Sequence, residues 1–93
     1  MDFTDFDLRI GTVREAAQTD DVLDLVIDFG GLVRTAETRI TERYSAADLI
    51  GRQVVAVTNA PGGKAVVLAA VSPSMGAVLI QPETAVADGT QVV

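Results

Sequence analysis

Length, composition and charge set the first limits on this chain. Its 93 residues predict a single domain over residues 1–93, of a size that buries about 60 to 65% of its unfolded surface. The chain has no Cys and no His, which excludes disulfides, zinc fingers and imidazole acid–base catalysis. With 13 acidic and 7 basic residues the net charge is −6. An acidic surface with Lys64 as its single lysine is typical of proteins adapted to concentrated salt, and we expect such a habitat.

The amino-terminal segment predicts a cytoplasmic protein without a membrane anchor. Asp2, Asp5 and Asp7 lie where a secretory signal needs positive charge. No apolar run approaches the length of about 20 residues that a membrane-spanning helix requires.

The first predicted strand begins near Phe6. Phe6, Leu8 and Ile10 share one parity, and we expect a bulge at Gly11 that lets Val13 face inward on the opposite parity. The next segment, AAQTDDV at 16–22, interrupts the alternation with Thr and two Asp. A loop is therefore predicted at 16–22.

The clearest strand is predicted at 23–29, where LDLVIDF alternates a buried with a wet face. The two glycines that follow, at 30 and 31, predict a tight hairpin turn, because they tolerate positive φ. A second strand is predicted at 32–40. A short helix comes next, begun by Ser45 with Asp48 as partner in a weak capping box and ended by Gly51.

The carboxyl-terminal third predicts further short strands. VVAVT at 54–58 is apolar at both parities, which favours a strand that is covered on both sides or sharply coiled. After the break at NAPGG, strands at 66–71 and 77–81 flank an SPSMG turn and form a second hairpin. Pro82 ends that hairpin, and a DG turn precedes an edge segment at 92–93.

These elements predict an all-β protein. About six or seven short strands, with one short helix between the third and fourth, match a small OB-fold β-barrel. We expect about five core strands plus short C-terminal strands. Closure is favoured because an open sheet of this length would leave unpaired strand edges.

Three segments together resemble the tRNA-binding domain family: FDLRIGTV, LVIDFG and TRITERYSAADLIGRQVVAVTN. Within that family the chain is similar to the branch of the export-related chaperone CsaA and the free-standing tRNA-binding proteins, through IDFG, the IT-x-RY segment, LIGRQV and an Asn-x-Pro turn. The family's longer basic loop after that turn is shortened here to NAPGGKAVVLAA, and the loop between the first two strands is short too. The resemblance implies an OB barrel without catalytic activity that forms a homodimer and binds tRNA or unfolded peptide.

Positive charge concentrates in the middle of the chain, where residues 31–64 hold five basic and three acidic residues. Such cations beside an OB barrel favour binding to the phosphates of RNA. The alternative is a solvated set of cations paired with Glu37, Glu42 and Asp48. Seven residues are the predicted RNA contacts: Arg34, Arg39, Arg43, Tyr44, Arg52, Asn59 and Lys64.

Two of these residues, and the aromatic side chains in general, could have a structural role instead of contacting RNA. Tyr44 would stack on a base or pack between helix and barrel, and Asn59 would contact RNA or cap its turn. We predict Phe3, Phe6 and Phe29 as core or dimer-contact residues. With stacking side chains scarce, sequence-specific RNA recognition is not expected.

No catalytic or metal site is predicted. Ser72 and Ser74 have no His partner and no GxSxG context. The carboxylates between Asp20 and Asp28 lack the spacing of an EF-hand and are predicted as acidic surface. No cofactor is expected.

The sequence therefore predicts a non-catalytic module that binds tRNA or other structured RNA mainly through backbone electrostatics. The alternatives are a CsaA-like chaperone for unfolded polypeptide, and an accessory dimerisation module without a ligand. The expected partners are RNA, a second copy of the chain, and either unfolded polypeptide or an aminoacyl-tRNA synthetase.

Overall fold

The computed structural model describes residues 5–40 and 43–93. Within those residues an all-β protein with one short helix is observed, as predicted. Its elements are β1 (Leu8–Thr19), β2 (Val22–Asp28), β3 (Val33–Thr38), α1 (Ala46–Leu49), β4 (Gln53–Val57), β5 (Val66–Val67), β6 (Ala69–Ser72) and β7 (Gly76–Leu79).

The strands form a nearly closed barrel. Five of them make an antiparallel sheet in the order β3-β2-β1-β4-β5, and β6 pairs with β7. The edges of the sheet meet where the N–H of Ala65 donates to the carbonyl of Thr35 at 2.9 Å. Leu68 joins the hairpin to the sheet, since its N–H donates to Val55 at 2.9 Å and its carbonyl accepts from Ile80 at 3.2 Å. The predicted OB-like barrel is confirmed.

One face of each central strand fills the barrel interior. Leu49 of α1 is fully buried and belongs to the same core, so the helix covers part of the barrel. Burying one such side chain contributes about 1.5–3 kcal/mol. The largest fully buried side chains are Leu23, Leu25, Ile27, Leu49, Val13 and Val54.

A second set of buried side chains lies on the outer face of β1 and β4, which we call the outer apolar cluster. Val54 and Ala56 face the barrel interior, whereas Val55 and Val57 belong to this cluster. The prediction that 54–58 is covered on both sides is therefore confirmed. The members of the cluster are Leu8, Ile10 and Val55, with Val57, Leu68 and Val92 packed against them.

The predicted bulge at Gly11 is wrong. Gly11 pairs in regular register with Val54, and the register shift of β1 lies between Val13 and Glu15. No change of face is needed at Gly11, because both faces of β1 are covered there. The absent side chain has another reason: a Cβ at Gly11 would lie 2.6 Å from the ring of Phe29.

The predicted loop at 16–22 is also wrong for most of its length. β1 continues to Thr19, which pairs with Val22 across a two-residue turn at Asp20 and Asp21. Asp20 has φ of 54°, a left-handed conformation that Asp adopts more readily than most residues. Alternation fails as a signal here because the end of β1 is exposed on both faces and is held by backbone hydrogen bonds.

The predicted strand at 66–71 is divided at Leu68. β5 pairs with β4, whereas β6 pairs with β7. The chain changes partners at this barrel corner, which the uninterrupted apolar run does not reveal. The predicted turn between the two hairpin strands is confirmed.

The glycine turn and the helix start follow the sequence prediction. The carboxylate of Asp28 accepts hydrogen bonds from the N–H groups of Gly30 and Gly31 at 2.8 and 3.1 Å, and both glycines have positive φ. At the helix, the carboxylate of Asp48 accepts from the N–H and hydroxyl of Ser45 at 3.1 and 2.9 Å. These bonds fix the entry to α1.

The carboxyl-terminal segment runs along β1. Ile10 exchanges backbone hydrogen bonds with Gly89 and Thr90, and Val92 donates to Leu8 at 2.8 Å. The edge segment thus pairs from residue 89 onwards, earlier than the predicted 92–93. It takes the edge of β1 that lies beyond the end of β2.

Candidate functional site

The seven predicted contacts do not form one basic surface. Arg39 pairs with Asp21 at 3.0 Å, and Lys64 pairs with Glu37 at 3.1 Å. All four side chains are more than half exposed, so each pair contributes about 0–1 kcal/mol. The Lys64–Glu37 pair agrees with the alternative that these cations form ion pairs at the surface. Arg39 also forms such a pair, but with Asp21, which the sequence did not indicate as its partner. Glu42 and Phe3 lie outside the described residues.

Arg43 and Arg52 are brought together by Tyr44. Their guanidinium carbons lie 5.9 and 5.7 Å from the centroid of its ring, within the range of cation–π attraction. Arg52 also donates from Nε to the carbonyl of Asp48 at 2.8 Å. Neither arginine has an ion pair with a carboxylate in 5–40 or 43–93. We call these three residues the arginine–tyrosine cluster.

Tyr44 packs in the barrel core, which agrees with its predicted structural alternative. Its side chain is 9% exposed and belongs to the barrel core. Its hydroxyl accepts a hydrogen bond from the buried N–H of Leu79 at 3.1 Å. The phenol therefore ties the segment before α1 to β7, and a base could stack on the ring only if the ring left this site.

Arg34 lies apart from the other predicted cations. It pairs with Ile27 in the register of β2 and β3, on the same side of the sheet as Ala36, which faces the core. Its Nε is buried without a hydrogen-bond partner in the described part of the chain.

Asn59 ties the turn after β4 to the amino-terminal segment. Its amide oxygen accepts from the N–H of Asp7 at 3.0 Å, and its amide nitrogen donates to the carbonyl of Asp5 at 3.0 Å. These bonds supply the structural role that the sequence left open. Contact between Asn59 and RNA stays a prediction.

Two carboxylate centres were missed by the sequence reading. The hydroxyl of Thr58, and after it the guanidinium of Arg9, hydrogen-bond to Asp7 and hold the pKa of its carboxyl below the usual value. Asp88, predicted only as part of a turn, accepts from Thr12 and from Gln53 and thereby anchors the carboxyl-terminal segment. The contacts of Thr58 with Asp7 and of Thr12 and Gln53 with Asp88 have no local sequence signal, because these partners lie more than 30 residues apart, whereas Arg9 lies two residues from Asp7.

A groove with a volume of about 430 Å³ crosses the outer face of β1, β2 and β3, which is the side of an OB fold that binds oligonucleotides. We call it the sheet-face groove. Its charged residues are three carboxylates, on Glu15, Asp24 and Glu37, and one lysine, Lys64. Carboxylates outnumber cations in this groove, and Lys64 is the predicted RNA contact that lines it. The remaining lining residues are Ala16, Ala17, Leu25, Val26, Thr35 and Ala36.

A second, smaller groove of about 290 Å³ lies beside the outer apolar cluster. It is lined by Phe6, Leu8, Val57 and Leu68 alone. Phe6 is 38% exposed, so it contributes to this surface, whereas Phe29 lies in the core as predicted. We call this the apolar groove.

The described residues contain no group of three or more metal-ligating side chains and no helix long and apolar enough to cross a membrane. Ser72 and Ser74 lie at the β6–β7 turn, where the Ser72 hydroxyl accepts from the N–H of Met75 at 3.3 Å. Of the acidic residues near the first hairpin, Asp21 pairs with Arg39 and Asp28 closes the glycine turn. Each of these contacts stabilises a turn or a surface pair.

Known proteins are similar to this chain in both fold and sequence. No family model matches the chain. The chaperone CsaA from Bacillus anthracis str. Ames is 38% identical, with a TM-score of 0.89 over 98% of this chain and 94% of that one. A MetRS related protein from Pyrococcus horikoshii is 25% identical, with a TM-score of 0.84 over 98% of this chain and 93% of that one.

Curated methionine–tRNA ligases also match. The ligase of Porphyromonas gingivalis is 33% identical over 98% of this chain, and the ligase of Christiangramia forsetii is 39% identical over 62% of it. The chain spans only 9 to 15% of the length of these ligases. Because the similarity to CsaA covers almost the whole of both proteins, the chain belongs to the tRNA-binding domain family, in its CsaA branch.

Proposed function

We propose that this protein is a non-catalytic module that binds tRNA or another structured RNA, and that the arginine–tyrosine cluster is its main contact. The observation that carries the proposal is the pair of guanidinium groups, on Arg43 and Arg52, beside one fixed ring. A guanidinium over an aromatic ring keeps donors at its edge, and those donors suit phosphate oxygens. The similarity to methionine–tRNA ligases and to a MetRS related protein supports RNA, and a synthetase, as partners.

The mechanism that we propose is contact with the phosphate backbone. Arg43 and Arg52 have no ion pair with a carboxylate in the described ranges, whereas Arg39 and Lys64 do. Two phosphate contacts would give a slope of log affinity against log salt of about −1.4 to −1.8. With a net charge of −6 we expect weak binding, in the range of about 10⁻⁴ to 10⁻⁶ M.

The test is a titration with total tRNA, followed by fluorescence anisotropy at low and high KCl. R43Q combined with R52Q removes the cluster, and R39Q combined with K64Q removes the same charge from paired positions. The first double variant should weaken binding at least about tenfold, since each charge-assisted contact is worth about 1.5 kcal/mol or more. The second should bind almost as wild type does. Equal losses in both variants, or no binding to folded wild type at low salt, would refute the proposal.

Polypeptide binding is the second candidate, favoured by the apolar groove and by the similarity to the chaperone CsaA. An extended peptide would place apolar side chains against Phe6, Leu8 and Leu68. Such binding should persist or strengthen as salt rises, because burial of apolar surface is not screened by ions. A labelled peptide rich in Leu and Val, titrated at low and high KCl, distinguishes this candidate from RNA binding.

We also propose that the protein forms a homodimer through the outer apolar cluster. Val57 pairs with Val66 next to Leu8, and Val66 is 50% exposed on this face. Ile80, which is 41% exposed, adds to the apolar surface near the junction of hairpin and sheet. Sedimentation equilibrium of wild type and of V66K would test the dimer. A monomeric wild type would contradict it and leave the apolar groove open to peptide.

A further inference from the structure

The sheet-face groove has a charge pattern that a β-sheet does not need for its own stability. Asp24 on β2 lies directly opposite Glu37 on β3, and Glu15 lies one row away on β1. Facing side chains on neighbouring strands are about 4.5–5.5 Å apart, and diagonal ones about 7–8 Å. Like charges directly opposite each other destabilise a sheet, so Asp24 and Glu37 oppose the stability of their own strands.

Only part of this charge is balanced within the described residues. The ammonium group of Lys64 contacts Glu37 at 3.1 Å. Glu15 and Asp24 have no salt bridge or side-chain hydrogen bond in the ranges 5–40 and 43–93. The groove therefore presents two carboxylates free to take a cation, beside a third that is already paired. Violations of local stability rules are expected at functional or strained sites.

The floor of the groove sets the shape of a suitable ligand. Between the carboxylates lie the short side chains of Ala17, Val26 and Thr35. Long cationic side chains lay their apolar stem along such a surface while the charged head reaches an acceptor. The planar guanidinium can bind a carboxylate with two parallel hydrogen bonds.

We propose that the sheet-face groove is a docking site for an extended polypeptide segment of a partner protein that carries arginine or lysine side chains. Charge complementarity selects this occupant: the groove repels phosphates and offers acceptors at the spacing of neighbouring strands. An extended segment crossing the strands would set one cationic side chain near Glu15 and the next near Asp24. This surface is separate from the arginine–tyrosine cluster, so the proposal does not depend on RNA binding.

The test compares two labelled peptides, one alternating Arg with Thr and the other alternating Gln with Thr. The wild-type protein should bind the Arg peptide more tightly, and the difference should shrink as KCl rises. E15Q combined with D24N should weaken binding of the Arg peptide at least about tenfold, because two charge-assisted contacts are lost. The matched control is D5N combined with E83Q, which removes two exposed carboxylates outside the groove.

Two single variants give effects of opposite sign. K64Q should tighten binding of the Arg peptide, because it releases Glu37. D24N should weaken that binding and yet raise the urea midpoint at low salt, since it removes the like-charge pair. A gain in stability together with a loss of binding cannot come from misfolding.

Several outcomes would overturn the proposal. Equal affinity for the two peptides, or equal losses in the groove variant and the control, would show that the groove is not the docking site. Spermidine that competes as well as the Arg peptide would assign the groove to small polycations instead of a polypeptide. Loss of tRNA binding in the groove variant would contradict the separation of the two surfaces.

Discussion

Replacing Gly11 by Ala tests the account of the barrel core most directly. Gly11 lies in β1 at an ordinary φ, outside the positive range. At such a position Ala commonly stabilises a protein by about 0.4–1 kcal/mol, because it restricts the unfolded chain. Here the new Cβ would lie 2.6 and 2.7 Å from the ring of Phe29 and 2.7 Å from Ile27. Those contacts must relax by moving buried side chains.

Because of this steric overlap, we expect G11A to lower the free energy of unfolding. Overpacking a filled core costs about 1–3 kcal/mol, which exceeds the gain from the unfolded state and leaves a net loss of about 1–2 kcal/mol. For a small domain the urea midpoint should fall by about 1 M. Urea denaturation followed by far-UV circular dichroism measures this shift.

A double-mutant cycle tests whether contact with the ring of Phe29 causes the loss of stability in G11A. F29L removes the ring edge, so G11A should cost less in that background, with a coupling of about 1 kcal/mol. A neutral or stabilising G11A in the wild-type protein would refute the packing argument. Strict additivity with F29L would place the cost elsewhere than at the ring.

Two further substitutions test side-chain bonds that the sequence did not reveal. Y44F should lower the free energy of unfolding by about 1–3 kcal/mol, because the buried N–H of Leu79 loses its acceptor; tRNA affinity should not change, because the ring under the two arginines remains. An unchanged urea midpoint would contradict this role. Asp7 has a lowered pKa in the folded state, through Thr58 first and Arg9 second. Its contribution is therefore present above the unfolded value near 3.8 and lost as pH falls through the lower folded value. In thermal melts D7N should lose less stability than wild type as pH falls below that value, and identical pH profiles would contradict the assignment.

The sequence predicts those elements of the fold that depend only on neighbouring residues. The alternation at 23–29 predicts β2 because one face is buried and the other is wet. The glycine turn follows from positive φ at Gly30 and Gly31, and the start of α1 follows from Ser45 and Asp48. Each of these signals is local, so a single sequence is enough to read it.

The alternation of apolar and polar residues does not predict a strand correctly where burial changes along that strand. The end of β1 is exposed on both faces, so its residues need not alternate, and a strand was mistaken for a loop. At Gly11 both faces are covered, so the change of parity there predicts a bulge at Gly11, whereas the register shift of β1 lies between Val13 and Glu15. In both cases the burial that decides the pattern comes from other parts of the chain.

The sequence by itself determined the all-β class, the order of most elements, the family and the clustering of basic residues in the middle third. Only the tertiary structure decided which cations are available. Arg39 and Lys64 find carboxylates on neighbouring elements, Arg43 and Arg52 meet at Tyr44, and Glu15, Asp24 and Glu37 converge in one groove. The charge of a residue follows from its type. Its ion pairs depend on distances that sheet register and barrel closure set, and a single stretch of sequence does not reveal those distances.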